Sequence, residues 1–269
     1  MKCSYIYWAA QQGKSMEIHI NEKRYAHQLA LKNIHLSFPS GETTLIIGTS
    51  GAGKSTLIKC LIQKTTYNGS SKGYRKENIA YIPQHPALNT DETVYHSIFW
   101  SCRFSDLGRS DDIVHRMAEE AVKKVGLGYV ERSKIKNISG GQIQRVSIAK
   151  ELVRGKDIII ADEIDTGLDC GVARSLVQML RRITKEEGKT TIIISHNIAN
   201  IELYDNLVVL AKDLDNVGRV AFFGKPSQAK KHFDVKDYVD ILMKINPKEE
   251  GGLGMADNYI MKQYSAGYN

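Results

Sequence analysis

The sequence contains no run of the ~18–20 consecutive apolar residues that a membrane-spanning helix needs. Its longest apolar runs, around Ile158–Ala161 and Ile192–Ile194, have the length and β-branching of buried strands. If the protein works at a membrane, another chain is expected to supply the span. The apolar run Tyr5–Ala10 is too short for the core of a secretory signal, and Gln11 and Gln12 follow it, so Met1–Ser15 reads as a disordered or docking extension. Cysteine is scarce: Cys3, Cys60, Cys102 and Cys170 are scattered without metal-ligand spacing, which points to a reducing cytosol and no disulfide framework. There is no internal repeat, so 269 residues suit one large α/β domain or two small ones.

What is present is an ordinary globular composition, 42% hydrophobic and 25% charged, with a net charge of +7. That excess suits a soluble basic surface, or attraction to anionic lipid, nucleotide or nucleic acid, and charge alone does not choose among them. Met16–Ile20 and Leu31–Phe38 alternate apolar and polar as half-buried strands do, and Pro39-Ser40-Gly41 ends the second. Thr44–Ile47 predicts a strand running into Gly48, with a helix beginning near Lys54. Asn78–Ile82 predicts another strand, followed from about Pro86 to Gly126 by a helical pattern, clearest at Asp111–Lys124. Asp157–Ala161 and Thr190–Ser195 flank a helix at Val172–Glu187, the mark of a parallel sheet with covered faces. Asn206–Ala211 and Arg219–Phe223 suit a closing hairpin, and Gly251–Gly254 predicts a flexible joint before a tail containing Tyr259, Tyr264 and Tyr268.

Gly48-Thr49-Ser50-Gly51-Ala52-Gly53-Lys54-Ser55 matches the P-loop pattern in full, after a strand and before a helix. Glycines let the backbone curl around phosphate oxygens, and the amides from about Gly51 to Thr56 are expected to point inward at a helix start. Gly48, Ser50, Gly51, Ala52, Gly53, Lys54, Ser55 and Thr56 are therefore the predicted nucleotide cradle. Lys54 is expected to reach the β- and γ-phosphates, and the Ser55 hydroxyl to ligate Mg²⁺. A P-loop alone leaves GTPases, kinases, helicases and transporters open.

Ile138-Ser139-Gly140-Gly141-Gln142, followed by Gln144, Arg145 and the helical run Val146–Val153, predicts a second anion-binding helix start. With both motifs in one chain, the sequence resembles the ATP-binding cassette family from about Met16 to Asp237, with Ile138 where the family's signature usually begins with Leu. A P-loop kinase or GTPase does not explain Ser139–Gln142. The resemblance implies an α/β fold: a P-loop NTPase core with a parallel sheet, an N-terminal antiparallel β-subdomain and a helical signature subdomain. It implies residues 1–15 as an extension, 16–237 as the nucleotide-binding domain with its helical part at about 86–150, and 238–269 as a C-terminal extension and tail. It also implies a head-to-tail pair of cassettes, each ATP meeting the P-loop of one copy and Ser139, Gly140, Gly141 and Gln142 of the other.

Ile158–Ala161 is a strand ending in Asp162 and Glu163, whose side chains point to opposite faces. By resemblance, Asp162 holds Mg²⁺ and Glu163 polarises the attacking water, since phosphoryl transfer needs charge stabilisation and a positioned nucleophile. Gln84 matches the family's Q-loop and senses Mg²⁺ and water; His196 matches its switch histidine at the γ-phosphate. Asp169 falls in the D-loop, near the dimer axis. Ile164 and Asp165 depart from the family's Pro and small hydroxyl residue, which predicts local loop differences without loss of hydrolysis. Tyr25 is the candidate for stacking on adenine.

Thr166-Gly167-Leu168-Asp169, Thr93-Val94-Tyr95, Gly218–Val220, Phe222-Phe223-Gly224 and Ala229–Phe233 resemble the G-type (White-related) branch and similar bacterial exporters. The expected activity is ATP hydrolysis, with ATP and Mg²⁺ as cofactors, powering export through a separate transmembrane permease. A second cassette would complete the ATP sites, and the protein would lie in the cytoplasm on the inner face of the membrane. A cassette ATPase acting on nucleic acid or ribosomes is the alternative. The sequence shows neither the long coiled coil of chromosome-type cassettes nor the paired cassettes of translation types, so no nucleic acid is expected.

Overall fold

The computed structural model describes residues 15–265. The extension predicted for the first residues, Cys3 and Tyr268 lie outside them. Two long strands, β1 (Ser15–Tyr25) and β2 (Gln28–Pro39), form an antiparallel hairpin. They are followed by β3 (Thr43–Gly48), α1 (Lys54–Leu61), β4 (Asn68–Lys72) and β5 (Ile79–Ile82). The helices α2 (Val94–Ser105), α3 (Asp111–Lys124) and α4 (Gly140–Leu152) come next, then β6 (Ile158–Asp162), α5 (Cys170–Glu187) and β7 (Thr190–Ile194). The chain continues through β8 (Asn206–Lys212), β9 (Gly218–Gly224), α6 (Pro226–Phe233), α7 (Val239–Ile245) and α8 (Ala256–Ser265).

The strands make one sheet in the order β4-β1-β2-β9-β8-β3-β7-β6-β5. Strands β8, β3, β7, β6 and β5 run parallel; β8–β9, β1–β2 and β1–β4 pair antiparallel, and β2 meets β9 in parallel at Leu31 and Gly218. Of these, β3, β6, β7 and β8 are buried on both faces, which is why they read as nearly unbroken apolar runs, whereas β5 at the edge alternates. Period-2 alternation divides them between two cores. Ile46, Ile158, Ile160 and Ile192 pack with α1 and the β1–β2 hairpin; Leu45, Ile47, Ile159 and Ile193 pack with α2 to α8. The α/β class, the parallel core, the antiparallel N-terminal part and the helical signature part are as expected.

Two elements differ from the sequence reading. β4 has no apolar pattern to announce it, yet it pairs with β1 at the sheet edge, where Gly69 lies so close that a Cβ would sit 1.9 Å from the His19 carbonyl oxygen. The expected flexible joint at Gly251–Gly254 is instead a pinned turn. Gly252, Leu253 and Gly254 donate to the carbonyls of Pro247, Met243 and Asn246 at 2.8–2.9 Å. The helix after it buries Tyr259 and Ile260, and the Tyr259 hydroxyl donates to the Phe233 carbonyl at 3.0 Å.

Candidate active site

Parallel packing places the carboxyl ends of β3, β7, β6 and β5 side by side, where the crevice of an open α/β sheet takes its ligand. β3, buried throughout, delivers Gly48 against β8; a Cβ there would lie 2.4 Å from the Leu210 carbonyl oxygen. Gly51 (φ 68) and Gly53 (φ 90) hold left-handed backbone that tightens the loop. No side chain caps α1 and no acid occupies its first turn, so its leading amides remain for an anion. Lys54 is buried, and its ammonium curls back to donate to the carbonyls of Gly48 (2.9 Å) and Thr49 (3.0 Å). Burial lowers its pKa, and the charge of Glu163 opposes that shift. Ser55 lies exposed on the first turn of α1.

Asp162 ends β6 and accepts from the Tyr81 hydroxyl at 3.0 Å. Burial raises its pKa, the Tyr81 bond opposes this, and neighbouring Glu163 adds to the rise. The same surroundings push the Tyr81 phenol up to about 12, burial first and Asp162 second. Glu163 takes a left-handed backbone (φ 48) and its N–H donates to the Ile194 carbonyl at 2.8 Å. Its two carboxylate oxygens are held separately: Gln84 Nε2 donates to one at 3.0 Å, and His196 Nε2 lies 2.9 Å from the other. The structure thus brings Gln84, Glu163 and His196 into one cluster, from three strand ends.

The signature residues stand apart from that cluster. Ser139 caps α4 in a capping box: its N–H donates to Gln142 Oε1 at 2.7 Å and its hydroxyl accepts from the Gln142 N–H at 3.4 Å. Ser139 and Gly140 are exposed, and Gly141 packs against α5, where a Cβ would come 2.5 Å from Val172 Cγ1. No hydrogen bond among the described residues joins Ser139–Gln142 to the P-loop of the same chain. Asp169 caps α5, accepting from the Val172 N–H at 2.9 Å. Tyr25 is 41% exposed at the end of β1, beneath the Lys23 ammonium, which lies 4.3 Å from its ring centre. The same ammonium donates to the Thr65 hydroxyl at 2.7 Å and the Thr66 carbonyl at 2.8 Å, beyond the far end of α1, and no hydrogen bond or ring contact among the described residues joins Tyr25 to the P-loop.

A profile of the ABC transporter family matches residues 31–166. The manganese transport system ATP-binding protein of Halalkalibacterium halodurans is 32% identical over 223 residues, covering 78% of this chain and 88% of that protein. The chain belongs to the ABC transporter family. The methionine import ATP-binding protein of Escherichia coli is 31% identical, over 79% of this chain and 67% of that protein. The iron(3+)-hydroxamate import ATP-binding protein of Bacillus subtilis is 28% identical, over 70% and 75%. In structure the chain is similar to cbiO1 of Clostridium perfringens, described as part of the ABC transporter complex cbiONQ. The TM-score is 0.72 at 25% identity, with 88% of this chain and 96% of that one covered.

As an ABC cassette the chain is an ATP-binding, ATP-hydrolysing transporter subunit. No described helix is long and apolar enough to cross a membrane. The residues fit the family's cofactors. Uncapped amides and a buried lysine suit a polyphosphate, and Ser55, Asp162 and Gln84 offer the hard oxygen donors that Mg²⁺ takes.

Three residues not expected at the site brace it. Gln144 of α4 donates from Nε2 to the Gln84 carbonyl at 2.9 Å, tying the signature helix to the residue that holds Glu163. Gly218 of β9 lies under the P-loop, where a Cβ would come 2.2 Å from the Ala52 carbonyl oxygen. Ser195, fully buried, donates to Asp165 at 2.7 Å and accepts from the Asn197 N–H at 2.8 Å, joining the loops that carry Glu163 and His196. Burial raises the Asp165 pKa and the Ser195 bond opposes it. Ile164, the other departure from the family pattern, is fully buried in the core. Gln144 lies in the mostly polar stretch Gln142-Ile143-Gln144-Arg145, so its burial is not marked locally, and the contact of Gly218 with Ala52 is likewise tertiary.

Proposed function

We propose that this protein is the motor of an ABC transporter whose pathway is a separate membrane polypeptide. Two cassettes, side by side at the cytoplasmic face of the membrane, would enclose ATP between the P-loop of one and Ser139–Gln142 of the other. The observation that carries this reading is the convergence of Gln84 and His196 on the two oxygens of Glu163, beside the P-loop. Glu163 is then the group that orients the attacking water and takes up its proton, with Gln84 and His196 fixing the carboxylate. Lys54 exchanges its loop carbonyls for phosphate oxygens, and Tyr25 covers the base. A bound Mg²⁺, held by Ser55, Asp162 and Gln84, would supply charge neutralisation to the phosphates.

For direction, the relatives named for methionine and iron-hydroxamate import weigh toward import. They lend no support to the G-type export expected from the sequence. Exposed apolar side chains on and beside α2 and α3 (Trp100, Phe104, Leu107 and Ile113) suit the docking of a membrane partner. The nucleic-acid alternative rests on the net charge of +7 alone.

Affinity purification in detergent from the native cell tests the assignment. A hydrophobic permease should co-purify and be lost on Trp100→Glu with Phe104→Glu. Recovery of RNA or DNA with salt-sensitive affinity, and no membrane protein, would refute it.

A further inference from the structure

Away from the ATP site, the carboxyl end of α3 meets α4 and α5 around an open cleft of about 370 Å³. Its lining includes Lys123, Lys124, Arg145 and Arg182, with Ser175 and Gln178 between them, and no carboxylate. We propose that this cleft is a second anion site, one that binds a phosphate-bearing ligand outside the nucleotide cradle.

The two guanidinium groups are already fixed. Arg145 donates to the Val125 carbonyl at 2.7 Å and to the Ser175 hydroxyl at 2.8 Å, and Arg182 donates to the Lys124 carbonyl at 2.8 Å. These bonds cap the end of α3, a familiar duty for arginine at a helix terminus. They consume only part of each five-donor fork and hold the remaining N–H edges in place. Capping does not account for the exposed Lys123, whose ammonium has no hydrogen bond or ion pair among the described residues, or for the lack of acid in the lining. Lys124 is paired outside the cleft, with Glu187. Gly126 (φ 72) keeps the floor low: a Cβ there would lie 3.4 Å from Arg145 Nη1. Rigid guanidinium donors with adjacent ammonium groups match phosphate oxygens in charge and geometry. The volume exceeds that of one phosphate and admits a diphosphate. A ligand here would touch α3 and α4 on one side and α5 on the other, and α5 begins immediately after Asp169.

Calorimetric titration of pyrophosphate into the whole chain, with the P-loop saturated by ATP in EDTA, tests the site. The expected result is one pyrophosphate per chain, bound at least tenfold more weakly by Lys123→Glu and by Gln178→Glu, with ATP affinity unchanged in both. Gln178→Glu leaves every helix cap in place, so a general loss of fold does not imitate the result. No heat once the P-loop is full, or binding indifferent to both substitutions, overturns the proposal. Sedimentation with phosphatidate vesicles, lost in the same variants, would assign the phosphate to a lipid headgroup. Pyrophosphate binding without vesicle binding would assign it to a free anion.

Discussion

Glu163 occupies left-handed backbone that costs a non-glycine residue about 1–3 kcal/mol, and the hydrogen bond from its N–H to Ile194 helps to hold it there. Strain of this kind persists where the surroundings over-determine a functional side chain. Glu163→Gln keeps the shape of the group while removing its basicity. Nucleotide affinity should stay within a factor of two or so, and turnover should fall about 100-fold or more. Phosphate release at the normal rate would remove Glu163 from its role. Asp205 offers a different residue-scale test. Burial works against its ionisation, but hydrogen bonds from the Thr43 N–H and hydroxyl, both 2.9 Å, and the nearby Lys185 hold its carboxyl below the ordinary range. A carboxyl whose folded pKa is depressed contributes stability above its unfolded pKa and loses it as pH falls through the folded value. The advantage of the wild type over Asp205→Asn should be full at pH 7 and shrink below about pH 4 in thermal unfolding. An advantage still undiminished at pH 2 would show that the carboxylate charge is not its source.

At the scale of elements, the P-loop depends on a strand far from it in sequence. β9 carries Gly218 under Ala52, and a methyl group there has no room. Gly218→Ala should destabilise the fold by about 1–3 kcal/mol through overpacking. It should also weaken ATP binding several-fold, as the displaced Ala52 carbonyl disturbs the cradle. Unchanged ATP affinity would mean the loop adjusts freely. This dependence also shows what the sequence could and could not reveal. The P-loop, Asp162-Glu163 and the capping serine of α4 are legible because their chemistry is local: a strand end, a glycine turn, a helix start. Strands β3, β6 and β7 are legible because burial on both faces leaves unbroken β-branched runs. Asn68–Lys72 becomes a strand only by pairing with β1, and Gly251–Gly254 becomes a fixed turn only because Met243, Asn246 and Pro247 offer carbonyls to it. Those outcomes belong to tertiary context, which periodicity does not encode.

At the scale of the whole molecule, one chain holds the P-loop cluster and, on exposed surface elsewhere, the capped helix start at Ser139, which no hydrogen bond among the described residues joins to that cluster. If two copies complete each other, Ser139→Ala should leave ATP binding by the monomer intact and weaken the ATP-dependent dimer. Loss of the cap itself costs only about 1 kcal/mol of helix stability, so the fold survives to be measured. Sedimentation showing an equally stable dimer with ATP and Glu163→Gln in both chains would remove the two-copy arrangement. Within the chain, Gln144 gives such pairing a route inward, since it joins the signature helix to Gln84 and hence to Glu163.

The sheet order also sets a schedule for synthesis. β2 and β3 are neighbours in sequence, yet β9 and β8 stand between them in the sheet, and β2 meets β9 at Leu31 and Gly218. The β1–β2 hairpin therefore leaves the ribosome before its partner and waits, one edge unpaired, until β9 emerges. Only then does Gly218 slide beneath Ala52 and Tyr264 reach the carbonyl of Asn33. A nascent chain halted before β9 would carry its phosphate-binding sequence without the floor that shapes it, so competence to bind ATP waits for a strand that begins only at Gly218, long after the loop it supports.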